Sequence, residues 1–339
     1  MGTPVDTAGS ARPAGVRIHA PGRLHLGFLD PDGTLGRRFG SLGLVVDGPE
    51  TVVEMRRADR DRVTAADGAP QQALSQAQAH LLALRGATGR LDPVHLHLAA
   101  LLPAHAGLGS GTQLALAVGR AFGALHGVAL SAVEIARLTG RGLRSGIGIA
   151  GFEQGGLLLD GGPRADGGPA PLLARIALPP AWRVILAVDA GACGLSGEAE
   201  RSALARLPPL PRAAAAEICH QTLMRVLPGA AGDEFEPFAT GVSRIQEVLG
   251  QHFAPAQQGR AFTSPAVGRL IGWVAARTAA AVGQSSWGPT GFAILPSPQA
   301  AADTLAAARA ACAADAALGL HIVRARNHGA TLAVLPQGA

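Results

Sequence analysis

At 339 residues, with 48% hydrophobic content and a formal net charge of +5, the chain is long enough to bury a large core and to form two domains. All 29 basic residues are Arg, and they are scattered rather than gathered on one face among aromatics; this speaks against nucleic acid as a partner and fits a small anionic substrate. Cys193, Cys219 and Cys312 are far apart and odd in number, so no disulfide framework or zinc knuckle is expected, and no apolar run approaches membrane-spanning length. A reduced, cytoplasmic protein without membrane partners is the expectation.

Residues 1–15 are small, polar and rich in Pro and Gly, without the apolar stretch of a signal peptide; they read as a disordered leader. Val16–Leu29 alternates as a strand, broken by Pro21-Gly22, and Arg23 and His25, two apart, share one side of it. We read them as lining a site. An Asp32-Gly33 turn then leads into Arg37-Arg38 between Gly36 and Gly40, where paired guanidiniums beside open backbone form an oxyanion clamp. Leu44–Met55 is a strand, 56–70 is polar and turn-rich, and Gln71–Leu84 is a helix. His95 and His97 share a face of the strand Val94–Leu102, but no third ligand makes them a metal site.

The stretch Pro103-Ala104-His105-Ala106-Gly107-Leu108-Gly109-Ser110-Gly111-Thr112-Gln113 joins that strand to a helical pattern over Leu114–His126. Its glycines let backbone N–H groups converge, and a helix opening at Ser110 or Thr112 adds its positive end, which outlines a phosphate cradle. It lacks the Lys of a P-loop, and its glycine spacing is wrong for a dinucleotide fingerprint. A helix over Ala132–Leu138 follows, then Arg141–Gly156, rich in Arg and Gly, and a strand at Leu157–Asp160.

Gly162–Pro180, rich in Gly, Pro and Ala, reads as the linker between domains 16–180 and 181–339. Beyond it we expect strands at Trp182–Asp189, Gly291–Leu295, His321–Ala325 and Thr331–Leu335, and a flexible Ala190–Glu200 stretch. Helices are expected at Arg212–Val226, Ala239–Leu249, Ser264–Thr278 and Ala300–Ala317. The Gly283–Gly291 loop, which contains Ser286, Trp287 and Thr290, can reach the site, and Asn327-His328-Gly329 is a turn.

The Pro103-x-x-x-Gly107-Leu108-Gly109-Ser110 pattern resembles the signature of the GHMP superfamily of small-molecule kinases, and the Pro21-Gly22-Arg23 turn and the Gly283–Gly291 loop occupy the places of its other motifs. With the Gly36–Gly43 loop, Arg144-Ser145-Gly146-Ile147-Gly148 and Phe152-Glu153-Gln154-Gly155-Gly156, the pattern resembles one branch, the β-ribofuranosylaminobenzene 5′-phosphate synthase family of tetrahydromethanopterin biosynthesis. The resemblance runs from about Arg17 to the C-terminus and is densest before Asp160.

That resemblance implies an α+β, two-domain GHMP-kinase-like fold with a ferredoxin-like C-terminal α/β sandwich, and a homodimer. It implies a glycosyltransferase that joins phosphoribosyl pyrophosphate to 4-aminobenzoate with release of CO2 and pyrophosphate, a step of one-carbon metabolism. The implied substrate contacts are the loop Gly107, Leu108, Gly109, Ser110, Gly111, Thr112 and Gln113, the arginines Arg23, Arg37, Arg38, Arg141 and Arg144, and Ser145, Gly146, Ser286 and Thr290. Trp287 would stack on the arene, His25 would act as acid or base, and Glu153 would hold Mg2+ or the ribose hydroxyls. No Lys exists for a pyridoxal phosphate Schiff base. An ATP-dependent GHMP kinase is the alternative; many such kinases place an Asp shortly after a Ser-Gly pair, whereas here Ser145-Gly146 is followed by Ile147-Gly148. A non-catalytic anion- or RNA-binding module is a distant third.

Overall fold

The computed structural model describes residues 13–336 apart from 143, 196, 313, 314, 316 and 317. Most of the leader expected over 1–15 lies outside the described residues, and Gly15 already begins a strand. The first half runs β1 (Gly15–Asp30), β2 (Phe39–Arg57), β3 (Arg62–Ala65), α1 (Gln71–Thr88), β4 (Val94–Ala100), α2 (Ser110–His126), α3 (Ala132–Leu138), α4 (Ile147–Gln154), β5 (Leu157–Asp160) and β6 (Leu172–Ile176). The second runs β7 (Arg183–Val188), α5 (Gly197–Arg206), α6 (Arg212–Gln221), a π-helical turn at Thr222–Val226, α7 (Leu227–Ala231) and α8 (Phe235–Phe253). A 3-10 turn (Ala254–Gln257), α9 (Pro265–Ala275), β8 (Ala281–Gln284), β9 (Thr290–Leu295), α10 (Pro298–Ala311), β10 (Gly319–Val323) and β11 (Thr331–Leu335) complete it.

β1 and β2 form the spine of the larger sheet, whose order is β11-β1-β2-β4-β3 with β5 and β6 extending from β2. Register shifts between Pro21 and Arg23 and between His25 and Gly27 bulge β1 where the sequence places Pro-Gly and Gly. Before the bulges Val16, Ile18 and Ala20 pack under α1, α2 and α3 with Leu84, Leu116 and Phe122. Past the first of them Leu24 and Leu26 join a second core with Val242, Ile245 and Leu249 of α8. One strand thus serves both halves, and its irregular middle is free to present polar side chains.

The smaller sheet is antiparallel, with the ferredoxin-like order β10-β7-β9-β8. The unbroken apolar run of β7 is explained by burial on both faces. Val184 and Leu186 meet α6 and α8, whereas Ile185 and Ala187 meet α9 and α10. Ser264 and Ser297 cap α9 and α10, each followed by a Pro at the first helical turn.

Four departures from the sequence reading have physical causes. The stretch read as a linker contains β6, a half-exposed strand whose five residues are hidden within Gly/Pro-rich surroundings. β11 leaves the second half and pairs antiparallel with β1, from Gly15 opposite Leu335 to His19 opposite Thr331, so the last strand of 181–339 belongs to the first sheet. α5 begins inside the stretch read as flexible. Finally, the Phe152–Gly156 motif docks the C-terminal return: Ala330 N–H donates to Phe152 O at 2.7 Å and Gly156 N–H to Arg326 O at 2.7 Å. A Cβ on Gly155 or Gly329 would strike the facing backbone, which explains the glycines there.

Candidate functional site: a glycine cradle walled by arginines

Three chain-distant loops meet at one carbonyl. Gly107 O accepts hydrogen bonds from Arg23 Nη1 and from Ser285 Oγ, both at 2.7 Å. Arg23 N–H donates to Leu108 O at 3.1 Å, and Ser286 N–H to His25 O at 3.2 Å. The bulged strand, the glycine loop and the loop after β8 are therefore hydrogen-bonded to one another. Gly107 (φ 83°) and Gly109 (φ 84°) take left-handed backbone, and Gly109 is the N-cap of α2. An N-terminal helical turn leaves amides without intrahelical partners, and no acidic side chain occupies this one.

Above the loop lies a cavity of about 730 Å³ lined by Gly107, Gly109, Ser110, Gly111 and Thr112, by the Arg23, Arg141 and Arg144 side chains, and by Ser286, Trp287 and Glu200. Arg23 flanks Gly109, and Arg141 flanks Gly111. Arg23 Nε, Arg141 Nε and Arg144 Nη1 are buried without a hydrogen-bond partner. Burial pulls Arg23 down to about 10, against the pull of Glu200 in the opposite direction, and burial lowers Arg141 as well. Guanidinium donors with no acceptor in a glycine-rich concavity are the complement of a polyanion such as a diphosphate.

The structure gathers ten of the residues singled out in the sequence: Arg23, Gly107, Gly109, Ser110, Gly111, Thr112, Arg141, Arg144, Ser286 and Trp287. Leu108 and Gln113 lie just behind the loop; Gln113 is buried and its Nε2 donates to Gly148 O at 3.0 Å. Ser145 and Gly146 do not line the cavity, because Ser145 Oγ and Gly146 N–H both donate to the buried Asp160 carboxylate, at 3.0 and 2.7 Å. Thr290 is buried within β9.

Two assignments need correction. Arg37 and Arg38 are exposed on the β1–β2 loop and take no part in the cavity wall: Arg38 Nε donates to Pro31 O at 3.2 Å, and its guanidinium lies 5.1 Å from the Phe39 ring centroid. Glu153 lies in a separate cleft, ion-paired with Arg120, and among the described residues no group of three His, Cys, Asp or Glu is arranged to hold a metal. Trp287, by contrast, is buried with its ring 4.5 Å from Phe253 and lines the wall of the cavity.

His25 lies next door in a smaller cavity and is buried; burial, then Arg23 and Arg144, drive its pKa down to about 3, so the imidazole is neutral. Glu200, which the sequence reading missed, is the carboxylate facing the arginines, and it accepts from Arg144 Nη2 at 2.6 Å. Nothing local marks it, since α5 brings it from 56 residues away.

A glycine cradle at a helix N-terminus, set between these two sheets, is the architecture of the GHMP superfamily. The chain matches the GHMP kinases N terminal domain over residues 73–156 and the GHMP kinases C terminal domain over 234–314. A homoserine kinase from Cytophaga hutchinsonii shares the fold with a TM-score of 0.68 at 17% identity, covering 97% of this chain and 100% of that one. More specifically, the chain belongs to the β-ribofuranosylphenol 5′-phosphate synthase family. It is 31% identical to the synthase of Methanothermobacter thermautotrophicus, over 82% of this chain and 88% of the relative. With that of Archaeoglobus fulgidus it shares 34% over 82% and 87%. These relatives are named for a phenol product, where the motifs in the sequence pointed to an aminobenzene.

Proposed function

We propose that this chain is a decarboxylating phosphoribosyltransferase that joins phosphoribosyl pyrophosphate to a benzoate carrying an electron-donating para group. The sequence motifs favour 4-aminobenzoate as acceptor; the relatives' name carries a hydroxyl in its place. The observation that carries this reading is the glycine cradle faced by three arginines with unpaired donors, in a chain of the synthase family.

In the proposed reaction the C1–O bond of the ribose breaks and pyrophosphate leaves with the electron pair. The ring carbon bearing the carboxylate attacks C1, and the carboxylate C–C pair returns to the ring as CO2 departs. Amides of Ser110 and Gly111 with Arg23 and Arg141 would hold the leaving diphosphate, a charge that grows in the transition state. Ser110, Thr112 and Glu200 face the same cavity, a donor set suited to a Mg2+ that arrives on the diphosphate. When bound, the ion would neutralise leaving-group charge.

The test is incubation with phosphoribosyl pyrophosphate and carboxyl-labelled 4-aminobenzoate or 4-hydroxybenzoate, following labelled CO2 and pyrophosphate together. Equimolar release without ATP is expected. Release of neither, under varied divalent metals, overturns the proposal and leaves ATP-dependent phosphoryl transfer as the reading to test.

A further inference from the structure

A second cavity, of about 280 Å³, shares Ser286 and Trp287 with the anion cavity and is closed by β1, α8 and β8. Phe28, Phe253, Phe262 and Trp287 give it an aromatic lining. An apolar protein cavity of about 150 Å³ accepts benzene, so this one has room for a benzene ring with two substituents. Two polar atoms of its wall residues are buried without partners, His25 Nε2 and Trp287 Nε1, on side chains whose residues are only 3% and 2% exposed. Buried polar atoms are rarely left unpaired without a reason.

The polar side chains of this wall do not supply the missing partners: Gln251 Nε2 donates to Glu247 Oε1 at 3.4 Å, and Gln246, Gln257 and Gln284 are committed to one another and to backbone. Gln246 Nε2 donates to Leu26 O at 2.6 Å while its Oε1 accepts from Gln284 N–H at 2.7 Å, and Gln284 Nε2 donates to Gln257 Oε1 at 2.9 Å. His25 is held by its backbone, its N–H donating to Ser285 Oγ at 2.9 Å. Its Nε2 has no partner, and in the neutral tautomer protonated at Nδ1 it is a free acceptor.

We propose that this cavity is the arene subsite, seating the benzoate ring among Phe28, Phe253 and Trp287, with His25 Nε2 accepting a hydrogen bond from the amino or hydroxyl group para to the carboxylate. The proposal rests on the transferase reading. In that reaction the carboxyl-bearing carbon must face the ribose in the anion cavity, so the para group points the opposite way, into the pocket that holds His25. A β product from an α-configured donor also requires the arene to approach the face opposite the departing diphosphate, and two adjoining cavities provide that separation. The hydrogen bond draws the para proton toward Nε2 and strengthens electron release into the carbon that forms the new bond. His25 is thus a specificity determinant, selecting a donor at the para position.

Calorimetric titration of the full chain, saturated with pyrophosphate, with 4-aminobenzoate, 4-hydroxybenzoate and 4-methylbenzoate tests the assignment. The wild type should bind the two para-donor acids about tenfold more tightly than the methyl compound, the worth of one buried hydrogen bond. In His25→Phe that ratio should fall to about one while pyrophosphate still binds. A wild type without the preference, or a His25→Phe that keeps it, overturns the subsite while labelled CO2 release still supports the transferase. Binding of none of the benzoates, with no CO2 release, sinks both. Should His25→Phe lose pyrophosphate binding through misfolding, the wild type decides by ¹⁵N-histidine spectra. The His25 Nε2 resonance should move with 4-aminobenzoate and not with 4-methylbenzoate; an equal response to both refutes the contact.

Discussion

Gly107→Ala is the sharpest test of the three-loop junction. A Cβ there would collide with the Ser285 carbonyl oxygen and lie 3.2 Å from Gly288 Cα, and neither neighbour is a flexible side chain. The residue also holds φ 83°, where a non-glycine residue costs about 1–2 kcal/mol. Relief requires the loops to part, which lengthens the Arg23 and Ser285 hydrogen bonds to Gly107 O, now 2.7 Å each. Loss of these, one of them charge-assisted, adds about 2–3 kcal/mol. We expect a total loss of about 3–5 kcal/mol, read by denaturant unfolding. A cradle displaced by about 1 Å should also cut kcat/KM for the proposed donor, phosphoribosyl pyrophosphate, about 100-fold. The control is Gly272→Ala on α9, where an added Cβ meets nothing within 4 Å and a gain of about 0.5–1 kcal/mol is expected. A Gly107→Ala protein with wild-type unfolding midpoint and turnover would refute the packing of Gly107 against Ser285 as the device that holds the cradle.

Arg141→Met should weaken pyrophosphate binding by about 10- to 100-fold, yet leave the ligand-free protein as stable or more so, because it removes a desolvated guanidinium that has no ion-pair partner among the described residues; a thermal shift assay with and without pyrophosphate reads both. Arg37→Ala, Arg38→Ala and Glu153→Gln should each leave kcat/KM within about twofold, since the three side chains lie outside the cavity, and the half-exposed Arg120–Glu153 pair should cost under about 1 kcal/mol; a hundredfold loss of turnover in any of them would return that residue to the site. Stability should fall as pH drops below about 6.5, because the unfolded chain then protonates histidines that the fold keeps neutral. His25 is held down to about 3 and His80 to about 4, in each case chiefly by burial. By pH 5 each should have cost about 2 kcal/mol, so His80→Leu should flatten the fall in melting temperature between pH 6.5 and 5; an unchanged slope would contradict a neutral His80.

What the sequence determined by itself was local. Gly107–Thr112 reads as a cradle because left-handed backbone and a helix start are written into consecutive residues, and β7, α2 and β11 are legible because their apolar periods span several residues. Arg23 and the Gly283–Gly291 loop were found through motifs that match a family, and they do meet the cradle.

Arg37-Arg38 and Glu153 looked equally chemical, but charge and glycine spacing say nothing about which loops fold toward each other. Only the tertiary structure separated them: Arg38 bonds to its own loop and Glu153 pairs with Arg120. Meanwhile α5 delivers Glu200 to Arg144 from 56 residues away. The same holds for β11 on β1, a pairing across some 316 residues that no short-range pattern encodes, and for the unpaired nitrogen of His25. Whether a histidine is neutral or charged depends on what is packed around it, and the cavity that His25 lines is walled by β1, α8 and β8 together.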